Sequence, residues 1–176
     1  MPGSEEILQR VGGSIIDLLE GYRSAQFTPH EVIEAIIDAS SEMSGNPIWI
    51  TSPDRAIIQP YLDQLMETLP HSLPLWGVPF AVKDNIDVLG MPTTAGCPAF
   101  TYQPKTSAFV VDRLIKAGAI PVGKTNLDQF ATGLVGVRSP YGIPVNPCTP
   151  DLVPGGSSSG SAIALACGLV SFALGT

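Results

Sequence analysis

The sequence predicts an α/β fold in which helices cover a largely parallel sheet. Two apolar segments, residues 77–82 and 119–122, have the length and composition of buried strands, and a helical pattern over residues 107–117 lies between them. A strand, a helix and a second strand in this order form a parallel pair with the helix on one face. A glycine- and serine-rich loop at residues 155–161 then leads into an apolar, alanine-rich segment, as a loop does at the start of a helix.

The first seventy residues are predicted to form amphipathic helices that serve as packing elements. Ser14 is a helix cap, and residues 28–31 combine a threonine cap, a proline at the first helical position and a glutamate at the third. A third helix is predicted to begin at Asp54, with Pro60 kinking or splitting it. The apolar positions that define the first two helices are Ile15, Leu18, Leu19, Tyr22, Val32, Ile33, Ile36 and Ile37.

The strands that follow carry polar residues at their carboxyl ends. Lys83 comes directly after the first predicted strand, and the segment 124–128 follows the second. Catalytic groups in parallel sheets gather outside the carboxyl ends of strands, so both are candidate functional positions. Residues 169–176 are predicted to contain a third buried strand. The helix between the first two strands is predicted from Phe109, Val110, Leu114 and Ile115, with Gly118 ending it.

Composition restricts the class of function. The net charge is −7, with nine basic against sixteen acidic side chains and no basic cluster, so we expect no nucleic-acid partner. We see no signal peptide, and the longest apolar run is too short and too interrupted by glycine to span a bilayer. We therefore expect a cytoplasmic protein without a membrane partner. The three cysteines form no CxxC motif, and no ligand-spaced cluster predicts a metal.

Lysine is the base that the polar residues favour. His30 lies in a helix-start motif and His71 in a proline-flanked loop, and surface positions are expected for both, so a Ser-His-Asp triad is hard to build. Lys83, at the end of an apolar strand, would be partly desolvated, which disfavours the ammonium form and makes the amine a proton acceptor near neutral pH. The alternative is a salt bridge from Lys83 to Asp84 or Asp87.

Residues 118–125 match GxxxxGK[ST], the pattern of a phosphate-binding loop. In such a loop the intervening backbone N–H groups face the phosphates, but here those residues are themselves the predicted strand. Pro121 also has no N–H to offer. We interpret the match as chance, which leaves a nucleotide-binding module as the weakest alternative.

The loop at residues 155–161, GGSSSGS, places hydroxyls and backbone N–H groups at one spot before a helix. This arrangement suits a site at which negative charge develops during a reaction. The alternative is a flexible linker, which is the usual role of glycine–serine runs. Apolar flanking residues disfavour that alternative.

The strand that ends in Lys83, followed by the loop at 155–161, resembles the amidase signature family. Residues 75–86 and 123–142 are further similar to the allophanate hydrolase subfamily, and the resemblance covers nearly the whole chain. It implies a layered fold with a mixed sheet covered by helices. It also implies amide-bond hydrolysis by a Ser-Ser-Lys triad, with neither a metal nor an organic cofactor.

The resemblance implies a role for individual residues. Lys83 is the triad lysine, and Ser157 is the bridging serine, which the family holds with a cis peptide bond on its N-terminal side. The nucleophilic serine belongs to an Asp-Thr-Ala-Gly-Ser motif that would begin after Thr176. The implied substrate-binding residues are Ala131, Thr132 and Gly133.

On this basis residues 1–176 are expected to be the N-terminal part of a single amidase domain, truncated at its C-terminus. Residues 1–72 would be mainly helical, and 73–176 would carry the sheet and both motifs. The chain alone would lack the nucleophile and be inactive. The complete enzyme would convert allophanate, a small-molecule amide, to ammonia and carbon dioxide in urea degradation. The resemblance is also compatible with a homodimer of the full-length protein. The alternatives are another family enzyme, such as the amidase component of a glutamine-dependent amidotransferase, and a non-catalytic fragment.

Overall fold

The computed structural model describes residues 2–70 and 72–176, which form a sheet with helices packed on both of its faces. Helices and strands alternate after a helical N-terminal region. The elements are α1 Ser4–Val11, α2 Ile15–Arg23, α3 Pro29–Glu42, β1 Trp49–Thr51, α4 Arg55–Met66, β2 Pro79–Lys83, α5 Phe109–Lys116, β3 Ile120–Thr125, α6 Ser159–Ala166 and β4 Phe172–Leu174. Short 3₁₀ turns occur at Pro98–Phe100 and Gln129–Ala131.

The sheet has the strand order β1-β3-β2-β4. Strand β2 pairs in parallel with both β3 and β4, whereas β1 pairs antiparallel with β3, so the sheet is mixed. The predicted parallel pair is confirmed, and its register sets Lys83 opposite Thr125. The carboxyl ends of β2 and β3 therefore meet at one edge of the sheet. Sequence reasoning did not predict β1, a three-residue strand without enough length for a periodic pattern.

The predicted N-terminal helices are confirmed together with their caps. Ser14 accepts a hydrogen bond from a backbone N–H of α2, and Thr28 and Glu31 form a complete capping box on α3. Asp54 caps α4, and this helix continues through Pro60 to Met66 rather than splitting. Helix α1 was not predicted. Among the described residues, no helix combines the length and the apolar character needed to cross a membrane.

The core lies on both faces of β2, all five residues of which are buried. Val78 and Ala81 pack in the main cluster with the N-terminal helices, while Phe80 and Val82 pack in a second cluster with Val111 of α5. Within β2, Ala81 faces the opposite side from Phe80 and Val82, as the two-residue period of a strand requires. A strand covered on both faces reads as a continuous apolar run, which explains why the sequence identified it.

Helix α5 forms where it was predicted, but its buried face differs. Phe109 and Val110 are 80% and 45% exposed, because they lie in the first turn, on the solvent side. Val111 is the buried residue of this helix, and Leu114 and Ile115 pack in part against the second cluster. Composition located the helix, whereas its rotation about its own axis depends on packing against the sheet.

The last predicted strand is shorter and less buried than expected. Only Phe172–Leu174 forms β4, and its residues are half-buried because it is an edge strand of the sheet. Its pairing with β2 stacks the rings of Phe80 and Phe172, with centroids 5.1 Å apart. The preceding residues Leu169 and Val170 are buried in the main cluster but lie outside the strand.

Candidate active site

Lys83 is the last residue of β2, and its side chain is fully buried. Its Nζ donates a hydrogen bond to Ser157 Oγ at 2.6 Å and another to Thr176 Oγ1 at 2.6 Å. The two residues that the resemblance assigned as triad lysine and bridging serine are therefore in direct contact, although 74 positions separate them in the chain. Each of the two hydroxyls accepts one hydrogen bond from the same amine.

The glycine- and serine-rich loop at residues 155–161, called the serine loop below, is fixed by backbone contacts with the segment after β3. Ser157 O accepts from Asp128 N at 3.0 Å, and Gly160 N donates to Asn126 O at 3.0 Å. A side chain at Gly160 would lie 2.4 Å from Ile48 O, so the close approach of the helix start to the sheet requires glycine there. The Gly156–Ser157 peptide bond is cis, as the resemblance implied. Helix α6 begins two residues later, as predicted.

The charge state of Lys83 is set by burial and by one nearby carboxylate. Burial lowers the pKa of Lys83, because the ammonium loses its hydration, and the negative charge of Asp128 acts in the opposite direction. The alternative salt bridges are absent among the described ion pairs. Asp84 instead lies 3.5 Å from Lys124, and Asp87 accepts hydrogen bonds from Thr93 and Tyr102. Burial thus shifts the protonation equilibrium of Lys83 toward the neutral amine, and Asp128 limits that shift.

Lys124, the lysine of the phosphate-loop match, belongs to a buried structural pair. It lies in β3, and its Nζ contacts the Asp84 carboxylate as well as Pro92 O and Thr93 Oγ1, each of the latter at 3.1 Å. Burial lowers the pKa of Lys124, while Asp84 opposes that shift. The intervening residues of the match form the strand itself, as sequence reasoning expected, so they present no loop to a phosphate.

The predicted substrate-binding stretch lies beside the serine loop. Ala131 and Thr132 are half-buried and exposed, respectively, so both can be reached by a ligand. Gly133 is buried, and a Cβ there would lie 2.1 Å from Asp128 Oδ2. Since Asp128 also bonds to Ser157 O, this stretch and the serine loop share one neighbour. The role of these three residues in binding stays a prediction.

Sequence reasoning did not single out two residues of the site, Thr176 and Asp128. Thr176 accepts from Lys83, and its backbone N–H lies 3.3 Å from Ser158 Oγ. Asp128 lay within the segment predicted at the carboxyl end of β3, but nothing in the local sequence distinguished it from its neighbours.

His30 is in the first turn of α3, and His71 lies outside the described residues. In residues 2–70 and 72–176, no three His, Cys, Asp or Glu side chains are grouped so as to hold a metal ion.

Comparisons with known proteins agree on one family. The Amidase family model matches residues 31–176. The urea amidolyase of Saccharomyces cerevisiae is 47% identical over 171 residues, which cover 94% of this chain and 9% of the yeast protein. A component of the glutamyl-tRNA(Gln) amidotransferase of Methanosarcina acetivorans is 43% identical over 147 residues, covering 83% of this chain and 29% of that protein.

The fold comparison gives the same result. The structure of Kluyveromyces lactis allophanate hydrolase superposes with a TM-score of 0.82 at 43% identity, covering 94% of this chain and 28% of that one. The crystal structure of an amidase superposes with a TM-score of 0.80 at 30% identity, covering 93% of this chain and 38% of that one. The chain thus spans about a tenth of the urea amidolyase that it matches, and under a third of the allophanate hydrolase.

Proposed function

This chain belongs to the amidase signature family, and on that premise we propose that it supplies the lysine and the bridging serine of an amide-hydrolysing site. The observation that carries the proposal is the 2.6 Å contact between Lys83 Nζ and Ser157 Oγ, in a setting where burial favours the neutral amine. A neutral amine bonded to a hydroxyl is the start of a proton relay that needs no histidine.

The proposed relay runs from a nucleophilic serine, through Ser157, to Lys83. The nucleophile, in residues that would follow Thr176, loses its proton to Ser157 as its oxygen attacks the amide carbonyl, and Ser157 passes its own proton to Lys83. The same proton path then runs in reverse to protonate the leaving nitrogen, so that the C–N bond breaks and ammonia departs. Water hydrolyses the resulting acyl-enzyme by the same steps and regenerates the serine.

Allophanate is the substrate that we propose. The support is that urea amidolyase and allophanate hydrolase match 94% of the chain at 47% and 43% identity. The second candidate is the amidase component of a glutamine-dependent amidotransferase, because a protein of that class matches at 43% identity over 83% of the chain. Ammonia release from allophanate and from glutamine, measured side by side on one preparation, distinguishes the two.

The first test removes the relay. In a protein where this chain is continued into a complete amidase domain, Lys83→Met and Ser157→Ala are each expected to slow ammonia release by about 100- to 10,000-fold, the usual loss when general acid–base transfer is removed. The measurement is a coupled ammonia assay on each purified variant.

The matched control makes the same lysine-to-methionine substitution at a position away from the site. Lys116 is an exposed lysine of α5 paired with Asp112, and Lys116→Met is expected to retain full activity. Full activity in Lys83→Met would refute the proposed mechanism.

A further inference from the structure

Asp128 connects the segments that surround the Lys83–Ser157 pair. It follows β3 and is fully buried. Its backbone N–H donates to Ser157 O at 3.0 Å, while its carboxylate accepts from Gly136 N at 3.0 Å and from Arg138 N at 2.7 Å. One residue thus bonds both to the serine loop and to the loop that follows the predicted substrate-binding stretch.

Close packing around the carboxylate reinforces these bonds. A Cβ at Gly133 would lie 2.1 Å from Asp128 Oδ2, and a Cβ at Gly156 would lie 2.3 Å from the same atom. The carboxylate is therefore held directly against the backbone of the predicted substrate-binding stretch and of the serine loop. Such contact leaves it little freedom to move without shifting both segments.

Asp128 is also the acid whose charge acts on Lys83. The groups bonded to the amine are the hydroxyls of Ser157 and Thr176, which carry no charge. The acid next to the lysine in the chain, Asp84, faces Lys124 instead. The negative charge of Asp128 raises the pKa of Lys83 against the effect of burial.

We infer that Asp128 is the positioning residue of this site: its backbone holds Ser157 opposite the Lys83 amine, and its carboxylate fixes the adjoining wall of the substrate pocket. The inference rests on the function proposed above. In this view Asp128 aligns the Lys83–Ser157 pair with the predicted substrate-binding stretch. Neither Lys83 nor Ser157 can provide this alignment alone. An alignment error of about 1 Å can cost a hundredfold in rate.

The test compares Asp128→Asn with the parent in the complete amidase domain. The substitution keeps the size of the side chain, removes its charge and puts a donor where two backbone N–H groups need acceptors. We expect kcat to fall by about 10- to 100-fold. We also expect the acidic limb of the pH profile to move to lower pH, because the amine loses its neighbouring negative charge. A role in stability alone would not move that limb.

Two further variants keep the test decisive. Asp128→Glu keeps the charge but lengthens the side chain in a tightly packed position, so kcat should fall while the acidic limb does not move to lower pH. This variant decides the question if Asp128→Asn does not fold. Asp87→Asn is the control, because Asp87 is half-buried but bonds to Thr93 and Tyr102 rather than to the serine loop, and it should behave as the parent.

An unchanged kcat and an unchanged acidic limb in Asp128→Asn would overturn the inference, as would an unchanged kcat in Asp128→Glu. If Lys83→Met is inactive in the same series, the proposed function survives that result and only the positioning role falls. If Lys83→Met is fully active, the proposed function itself fails.

Discussion

The proposed relay depends on the charge of one lysine. Lys83 is fully buried, and its two hydrogen-bond partners are hydroxyls rather than carboxylates. Hydroxyl oxygens compensate an ammonium less well than a carboxylate in contact would, so desolvation dominates and the pKa falls. The negative charge of Asp128 raises the pKa of Lys83 and so opposes the effect of burial. The Lys83 amine thus contacts two hydroxyls, and the proposed relay uses it as the acceptor of the Ser157 proton.

The pH dependence of activity follows from the direction of this shift. Only the neutral form of Lys83 accepts a proton, so kcat/KM of the complete enzyme should fall as pH decreases through the lowered pKa of Lys83. Activity should persist below the pH at which an exposed lysine would be fully protonated. Measuring kcat/KM for ammonia release across the stable pH range checks this expectation.

A profile whose acidic limb lies at the ordinary pKa of an exposed lysine would contradict the role of burial. The variant Lys116→Met serves as the reference for the profile, because its exposed amine is unrelated to the site.

At the scale of elements, helix starts are the features that local chemistry controls most fully. In α3, Thr28 Oγ1 accepts from Glu31 N at 3.3 Å while Glu31 Oε2 accepts from Thr28 N at 2.7 Å. Pro29 occupies the first helical position, where its missing N–H costs nothing. All of these partners lie within four residues, which is why the sequence predicted the start of this helix correctly.

Removing the cap should destabilise the fold by a modest amount. Thr28→Ala leaves Glu31 N without its acceptor and is expected to lower the free energy of unfolding by about 1 kcal/mol. Urea denaturation followed by circular dichroism measures the difference. Thr106→Ala, at an exposed loop position, is the control and should change stability by less than about 0.5 kcal/mol. Equal effects in both variants would count against the capping box.

At the scale of the whole molecule, the mixed sheet brings distant segments to one edge. Strand β2 is central and buried on both faces, so its carboxyl end is a rigid position for Lys83. The parallel neighbours β3 and β4 end on the same side and deliver Asp128 and Thr176 there. The serine loop, which leads into α6, completes the site with Ser157. Lys83 is therefore the last residue of a strand, and Ser157 lies two residues before a helix.

The 176-residue chain by itself is expected to release no ammonia from allophanate. In the proposed relay the nucleophile belongs to an Asp-Thr-Ala-Gly-Ser motif, and residues 1–176 do not contain that motif. The chain also spans only 28% of the allophanate hydrolase structure that it resembles. Prolonged incubation of the purified chain with allophanate, with Lys83→Met as the blank, tests this expectation. Turnover that depends on Lys83 would contradict it.

Sequence reasoning succeeded where the signal was local or continuous. It predicted β2 and β3 from apolar runs and α2, α3 and α4 from caps and periodicity. It missed α1 and β1, and it used Phe109 and Val110 as apolar positions of α5 although both are exposed. A very short strand carries no periodic signal, and the rotation of a helix is set by the surface against which it packs.

The sequence by itself determined that Lys83 would end a buried strand and that a serine loop would open a helix. It could not decide which partner the amine takes, and Asp84 and Asp87 were local alternatives to Ser157. The tertiary structure decided this, because the partners of both side chains come from distant segments: β3 places Lys124 beside Asp84, and the loop at residues 155–161 places Ser157 beside Lys83. Asp84 therefore turns away from Lys83 toward Lys124, while the fold brings Ser157 to the amine from 74 residues away.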